Sequence, residues 1–154
     1  MKGMQKIKRG RGFRGVVDYC LADKNARLLF LENIAADDPT DIARELIRTT
    51  KIKNPEKPTW HNSLRLPRGE KLSDEKWEEI AREYMAEMGF TENHAYAVFM
   101  HDDPAGQHVH IVASRVGLDG ALYLGQNENL RSTKIIRKLE AKYGLQQTHD
   151  GADT

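Results

Sequence analysis

Between His94 and Val116 the chain reads HAYAVFMHDDPAGQHVHIVASRV, and this stretch leaves the backbone little choice. Two apolar runs, Ala95 to Met100 and Val109 to Val116, flank a polar insert from Asp102 to Gln107. The Asp-Asp-Pro and Ala-Gly pairs of that insert are turn chemistry, so the segment is predicted to be a β-hairpin. If His101 lies opposite His108, side-chain alternation puts His101, His108 and His110 on one face. Cross-strand neighbours stand about 5 Å apart and same-face neighbours about 7 Å apart, close enough for three imidazoles to meet on one cation. A lone histidine in an apolar strand is ordinarily a hydrogen-bonded core or edge residue. Three that converge across one short hairpin would be costly to bury without a task, which points to a metal site. Asp103 is placed to orient a ligand imidazole or to take part in proton transfer.

A chain of 154 residues is long enough for one domain with a proper core, read here as residues 1–145 followed by a frayed tail, 146–154, that carries His149. Its single cysteine, Cys20, excludes a disulfide scaffold and fits a reducing, cytoplasmic setting. No apolar run approaches the roughly 20 residues needed to span a bilayer. The net charge of +1 points to no partner, but Lys2, Lys6, Lys8, Arg9, Arg11 and Arg14 all precede the first acid, Asp18. A local basic stripe of this kind suits a polyanion, and Lys8, Arg9, Arg11 and Arg14 are its candidate nucleic-acid contacts.

In chain order, residues 2–9 are expected to form a short basic strand. Phe13, Val16, Val17, Cys20 and Leu21 then recur at helical spacing over Gly12 to Leu21. Tyr19 lies off that stripe, on the side shared with Gly12 and Gly15, where its phenol projects from a face without bulky neighbours. Ala26 to Ile34 reads as a strand, and Asp38 with Pro39 opens a helix. Thr59 to Leu66 alternates as a strand with His61, Ser63 and Arg65 on one face and Trp60, Asn62, Leu64 and Leu66 on the other; the polar face either lines a site or meets solvent. Ser73 caps a long helix with Trp77, Ile80, Tyr84 and Met88 on its buried stripe, and Gly89 stops it. A short edge strand over Ala121 to Leu124 and a last helix capped by Ser132, with Tyr143 on its apolar stripe, complete the chain. The fold class is α+β, an antiparallel sheet flanked by helices.

A basic arm, a projecting tyrosine and three metal-ready imidazoles together point to phosphodiester chemistry on nucleic acid. A phenol, with an ordinary pKa of about 10, is a weak nucleophile at neutral pH. A cation on a non-bridging phosphate oxygen offsets that weakness by withdrawing charge from phosphorus, and neutral imidazoles leave the cation's charge undiminished. Attack by Tyr19 would form a phosphotyrosine and free a hydroxyl, with one ester replacing another, so the step is close to reversible.

Three blocks carry a resemblance: GFRGVVDYCL with Tyr19, WHNSLRLPRGE followed by a long helix ending in MGF, and HDDPAGQHVHIVASRV with His101, Asp103, His108 and His110. In their order they resemble the MobA-like conjugative relaxases of plasmid mobilisation, within the HUH endonucleases, over roughly residues 5–145. The resemblance implies a central antiparallel sheet of about five strands carrying the histidines, with helices packed on it. It also implies metal-dependent, strand-specific nicking and rejoining of DNA at a plasmid transfer origin, with Tyr19 keeping the 5′ phosphate. Mg²⁺ or Mn²⁺ as cofactor, accessory origin-binding proteins, and a coupling protein leading to type IV secretion machinery follow from the same likeness. The chain departs from the family at Arg65, which stands where a serine is common; Ser63, two residues earlier on the same face, is the other candidate for DNA contact. A replication initiator or transposase would instead use a tyrosine after the histidines, for which Tyr143 is the candidate. A small-molecule metal hydrolase and a non-catalytic metal-stabilised module are the remaining alternatives.

Overall fold

The computed structural model describes residues 1–3 and 7–147. Among these, alternation and helical spacing resolve into β1 (Lys2–Gly3), β2 (Lys8–Gly10), α1 (Arg14–Leu21), β3 (Ala26–Glu32), α2 (Pro39–Arg48), β4 (Thr59–Arg65), α3 (Asp74–Met88), β5 (Tyr96–His101), β6 (His108–Ser114) and α4 (Glu128–Tyr143). All pairings are antiparallel, and the sheet runs β4-β6-β5-β3 with β1 and β2 sharing the outer edge of β4. Six strands thus fill five positions, in the α+β architecture expected.

Every residue of β5 and β6 is buried, because helices cover both faces of the sheet. On one face Val17 and Cys20 of α1, and Ile42 and Leu46 of α2, pack over Ala97, Phe99 and Val112. On the other, Trp77, Ile80 and Tyr84 of α3, and Ile136 and Leu139 of α4, cover Leu64, Val98, Met100, Val109 and Ile111. The two apolar layers are separate, and the first is the shorter. Where it runs out, at the β5–β6 turn, the sheet carries histidines in place of aliphatic side chains.

Several boundaries follow from local chemistry. The Asp38 side chain accepts from the Asp41 N–H to start α2, the Ser73 side chain accepts from Lys76 N–H to start α3, and Gly89 ends α3 in the left-handed conformation. β3 ends at Glu32, short of Ile34, because Asn33 turns to φ 58° and its amide donates to the carbonyls of Glu92 and His94. α4 begins at Glu128, a turn before the Ser132 start expected. The Ser132 hydroxyl is spent in the core, 2.6 Å from Tyr84 Oη, which also accepts from Asn62 at 2.6 Å. Ala121 to Leu124 yields only the single bridge Val116–Leu122. The basic first strand is two short ones, and residues 4–6 lie outside the described residues, as does His149. Gln146, expected to fray, donates its N–H to Glu70.

Candidate metal centre

The hairpin register places His101 opposite His108, and the β4 register places His110 opposite Ser63. The three imidazoles therefore share one face, with ligand atoms within 4.8 Å of one another and ring centroids 4.5 to 5.1 Å apart. The turn between them is pinned from the opposite layer. The buried Gln107 carboxamide accepts from Trp77 Nε1 at 2.8 Å and Leu72 N at 2.9 Å, and donates to Asp102 at 2.9 Å.

Each imidazole uses one nitrogen on the protein. His101 Nε2 donates to the Cys20 carbonyl at 2.6 Å, which leaves Nδ1 with the lone pair. His108 Nδ1 donates to the Gly106 carbonyl at 2.9 Å, which leaves Nε2. His110 Nδ1 lies 2.9 Å from His61 Nε2, leaving the other nitrogen of His110 toward the cluster. Burial is the main cause that lowers the pKa of His108 and pushes that of His110 down to about 3, with the neighbouring imidazoles adding to it. Burial, then Lys8, pushes His61 down to about 4. Burial thus favours the neutral form of all three rings. Imidazoles that each use one nitrogen on the protein and turn the other toward a common point are a donor set that fits a divalent cation. A second trio, Cys20, His61 and His110, meets the same spacing.

Tyr19 stands over this floor. The buried Val17 and Cys20 fix the rotation of α1 so that Tyr19 is left 65% exposed. Its ring meets His61 and His110 edge-on, with centroids 6.4 and 6.2 Å away. The phenol of the first helix and the imidazoles of the last two strands thus share one place.

Arg65 forms the rim, opposite His108. Its guanidinium lies 3.4 Å from Gly106 O, 3.5 Å from His108 Nε2 and 3.7 Å from Asp103 Oδ2. Asp103 makes no hydrogen bond to an imidazole among the described residues. It accepts the Ala105 N–H, which with Arg65 holds its carboxyl below the usual range. The three imidazoles meet two main-chain carbonyls and a histidine instead. Ser63 is half-buried on the same face, and Lys8 pairs with His61 across the sheet edge. Arg9 alternates to the opposite side, where its guanidinium binds Glu128 and the Leu124 carbonyl. Arg11 and Arg14 are exposed and paired, with Glu56 at 3.3 Å and Asp18 at 3.0 Å. The basic stripe therefore contributes Lys8 to the site directly.

Sequence reading passed over His61 and the glycine carbonyl. The alternation in TWHNSLRL had put His61 on the Ser63–Arg65 face, but its partner lies on a strand far along the chain. Gly106 carries only a turn signal in the sequence. A Cβ there would meet Leu66 O at 2.6 Å, so the close approach that aims its carbonyl at His108 requires glycine.

The family model of the MobA/VirD2-like relaxase nuclease domain matches residues 19–145. The chain belongs to that relaxase family. The match begins at Tyr19 and spans every element that supplies the histidines. No curated protein gives a significant match. A relaxase nuclease domain is an enzyme acting on DNA, and relaxases typically work with a divalent metal. The histidine cluster of this relaxase is where one could be held. Among the described residues no helix is long and apolar enough to cross a membrane.

Proposed function

We propose that this relaxase nicks one DNA strand at a plasmid transfer origin and rejoins it through a 5′-phosphotyrosine on Tyr19. The observation that carries the reading is the edge-on seat of Tyr19 against His61 and His110, at the lip of the His101–His108–His110 cluster. Single-stranded DNA enters over α1 and the outer end of β4. Lys8 and Arg65 lie along that path and take backbone phosphates, and Ser63 lies on β4 between Arg65 and His61, the residue opposite Lys8. The Arg65 guanidinium, held by Gly106 O and Asp103, is free to exchange these weak partners for the scissile phosphate.

Tyr19 Oη forms a bond to phosphorus as the bond from phosphorus to the 3′ oxygen breaks. The phenol proton is lost and the departing 3′ oxygen ends as a hydroxyl, so one phosphodiester replaces another and the reverse step reseals the strand. His101, His108 and His110 would hold Mg²⁺ or Mn²⁺, which would supply positive charge to offset the negative charge developing around phosphorus. Asp103 sets the position of Arg65 at the rim. Accessory origin-binding proteins, a coupling protein and type IV secretion machinery are the partners such a covalent complex requires. A cytoplasmic site of action accords with the single free cysteine.

The initiator alternative finds little support. The Tyr143 hydroxyl donates to Glu83 at 2.9 Å, and its ring packs against the apolar layer on the opposite face of the sheet. The deciding experiment incubates protein, Mn²⁺ and labelled origin oligonucleotides, then resolves covalent adducts on a denaturing gel. Tyr19→Phe is expected to abolish the adduct and Tyr143→Phe to keep it; the reverse pattern overturns the reading.

A further inference from the structure

His61 is a buried polar residue that the nicking chemistry does not itself call on. It is 6% exposed, and its Nε2 lies 2.9 Å from Nδ1 of His110. Two imidazoles facing each other at this distance share a single proton, which sits on one ring or the other. If His61 donates, His110 is left with its own proton on Nε2, the nitrogen that faces His101 and His108, and cannot serve as a ligand there. If His110 donates, its Nε2 carries the lone pair and points into the cluster. The same logic governs the other two ligands, whose partners are carbonyls that can only accept. Only His110 depends on a side chain for its tautomer.

We propose that His61 is a positioning residue for metal binding: its Nε2 accepts the Nδ1 proton of His110 and so fixes the His110 Nε2 lone pair on the cation shared with His101 and His108. This rests on the metal-centre reading above. It adds a histidine of β4 to a centre otherwise built on β5 and β6. It also accounts for an imidazole, rather than an aliphatic side chain, at the covered end of that strand.

Three measurements test it. In metal-free wild-type protein, ¹⁵N-detected histidine NMR is expected to show His110 with its proton on Nδ1; a proton on Nε2 overturns the proposal. In calorimetric titrations with Mn²⁺ alone, His61→Leu is expected to bind roughly 10- to 100-fold more weakly, the usual effect of removing such a partner. His61→Gln, whose side-chain oxygen can accept at the same place, recovers most of that loss, and excess Mn²⁺ restores nicking by His61→Leu. A folded His61→Leu protein with wild-type Mn²⁺ affinity, or one whose nicking no metal concentration restores, overturns the proposal.

The third measurement addresses the second trio. In the Co²⁺-loaded protein, a near-ultraviolet sulfur charge-transfer band that disappears in Cys20→Ser would make His61 a direct ligand with Cys20, and would likewise overturn its positioning role. Wild-type protein that binds no Mn²⁺ would overturn the metal reading itself, while the tautomer measurement still decides the His61–His110 bond independently.

Discussion

Gly106 carries no side chain, yet its carbonyl receives both His108 and Arg65. With Leu66 O only 2.6 Å from where a Cβ would sit, Gly106→Ala must shift the turn. Overpacking of this kind costs about 1–3 kcal/mol, so urea denaturation should show that loss, accompanied by weaker Mn²⁺ binding as His108 is turned. Arg65 makes a contrasting case. Its partners are long or solvent-exposed, so Arg65→Ala should leave folding and Mn²⁺ affinity intact. Single-turnover nicking should fall on the order of 10²-fold, as when one charged donor is lost from a transition state. The triad was legible because HVH and the preceding His101 fall on one face by strand alternation alone. His61, Gly106 and the Cys20 carbonyl were not, since a partner on a distant strand, a turn carbonyl and a helix carbonyl leave no spacing signal.

At the level of elements, the signals that held were those in which one residue satisfies its own helix. Asp38, Ser73 and Gly89 mark their ends as read, and Ser73→Ala should cost about 1 kcal/mol in thermal or urea melts without changing metal affinity, because α3 lies on the layer away from the histidines. Ser132 misled for the complementary reason: its hydroxyl serves Tyr84, a tertiary partner that no local pattern reveals. α1 is the element whose role was most incompletely legible. Its periodicity announced the orientation of Tyr19, but not that the carbonyl of Cys20, near the helix C-terminus, holds His101. Cation binding at His101 should therefore be felt along α1. Hydrogen exchange of peptides covering residues 14–21 is expected to slow when Mn²⁺ is added, and peptides from α3 to remain unchanged.

For the whole molecule, two apolar layers close without the histidines, so chelation should silence the enzyme and leave it folded. Circular dichroism after treatment with a chelator should retain the helical signal; cooperative unfolding would instead make the cation structural. The buried imidazoles also set a pH window. His61 at about 4 and His110 at about 3 lie below the ordinary 6.5, so the unfolded chain takes up protons that the folded one refuses. Stability of the metal-free protein is then full above about pH 6.5 and declines as pH falls toward 4, by up to about 1.4 kcal/mol per unit for each ring. Urea melts at neutral and mildly acidic pH should show this slope, and His61→Gln should make it shallower.

The joining of the earliest helix to the latest strands has a consequence for how such an enzyme is made. As the polypeptide leaves the ribosome, the phenol emerges long before the imidazoles it must meet. A product that ends before the hairpin holds the Tyr19 phenol without the three imidazoles beside which the folded chain seats it.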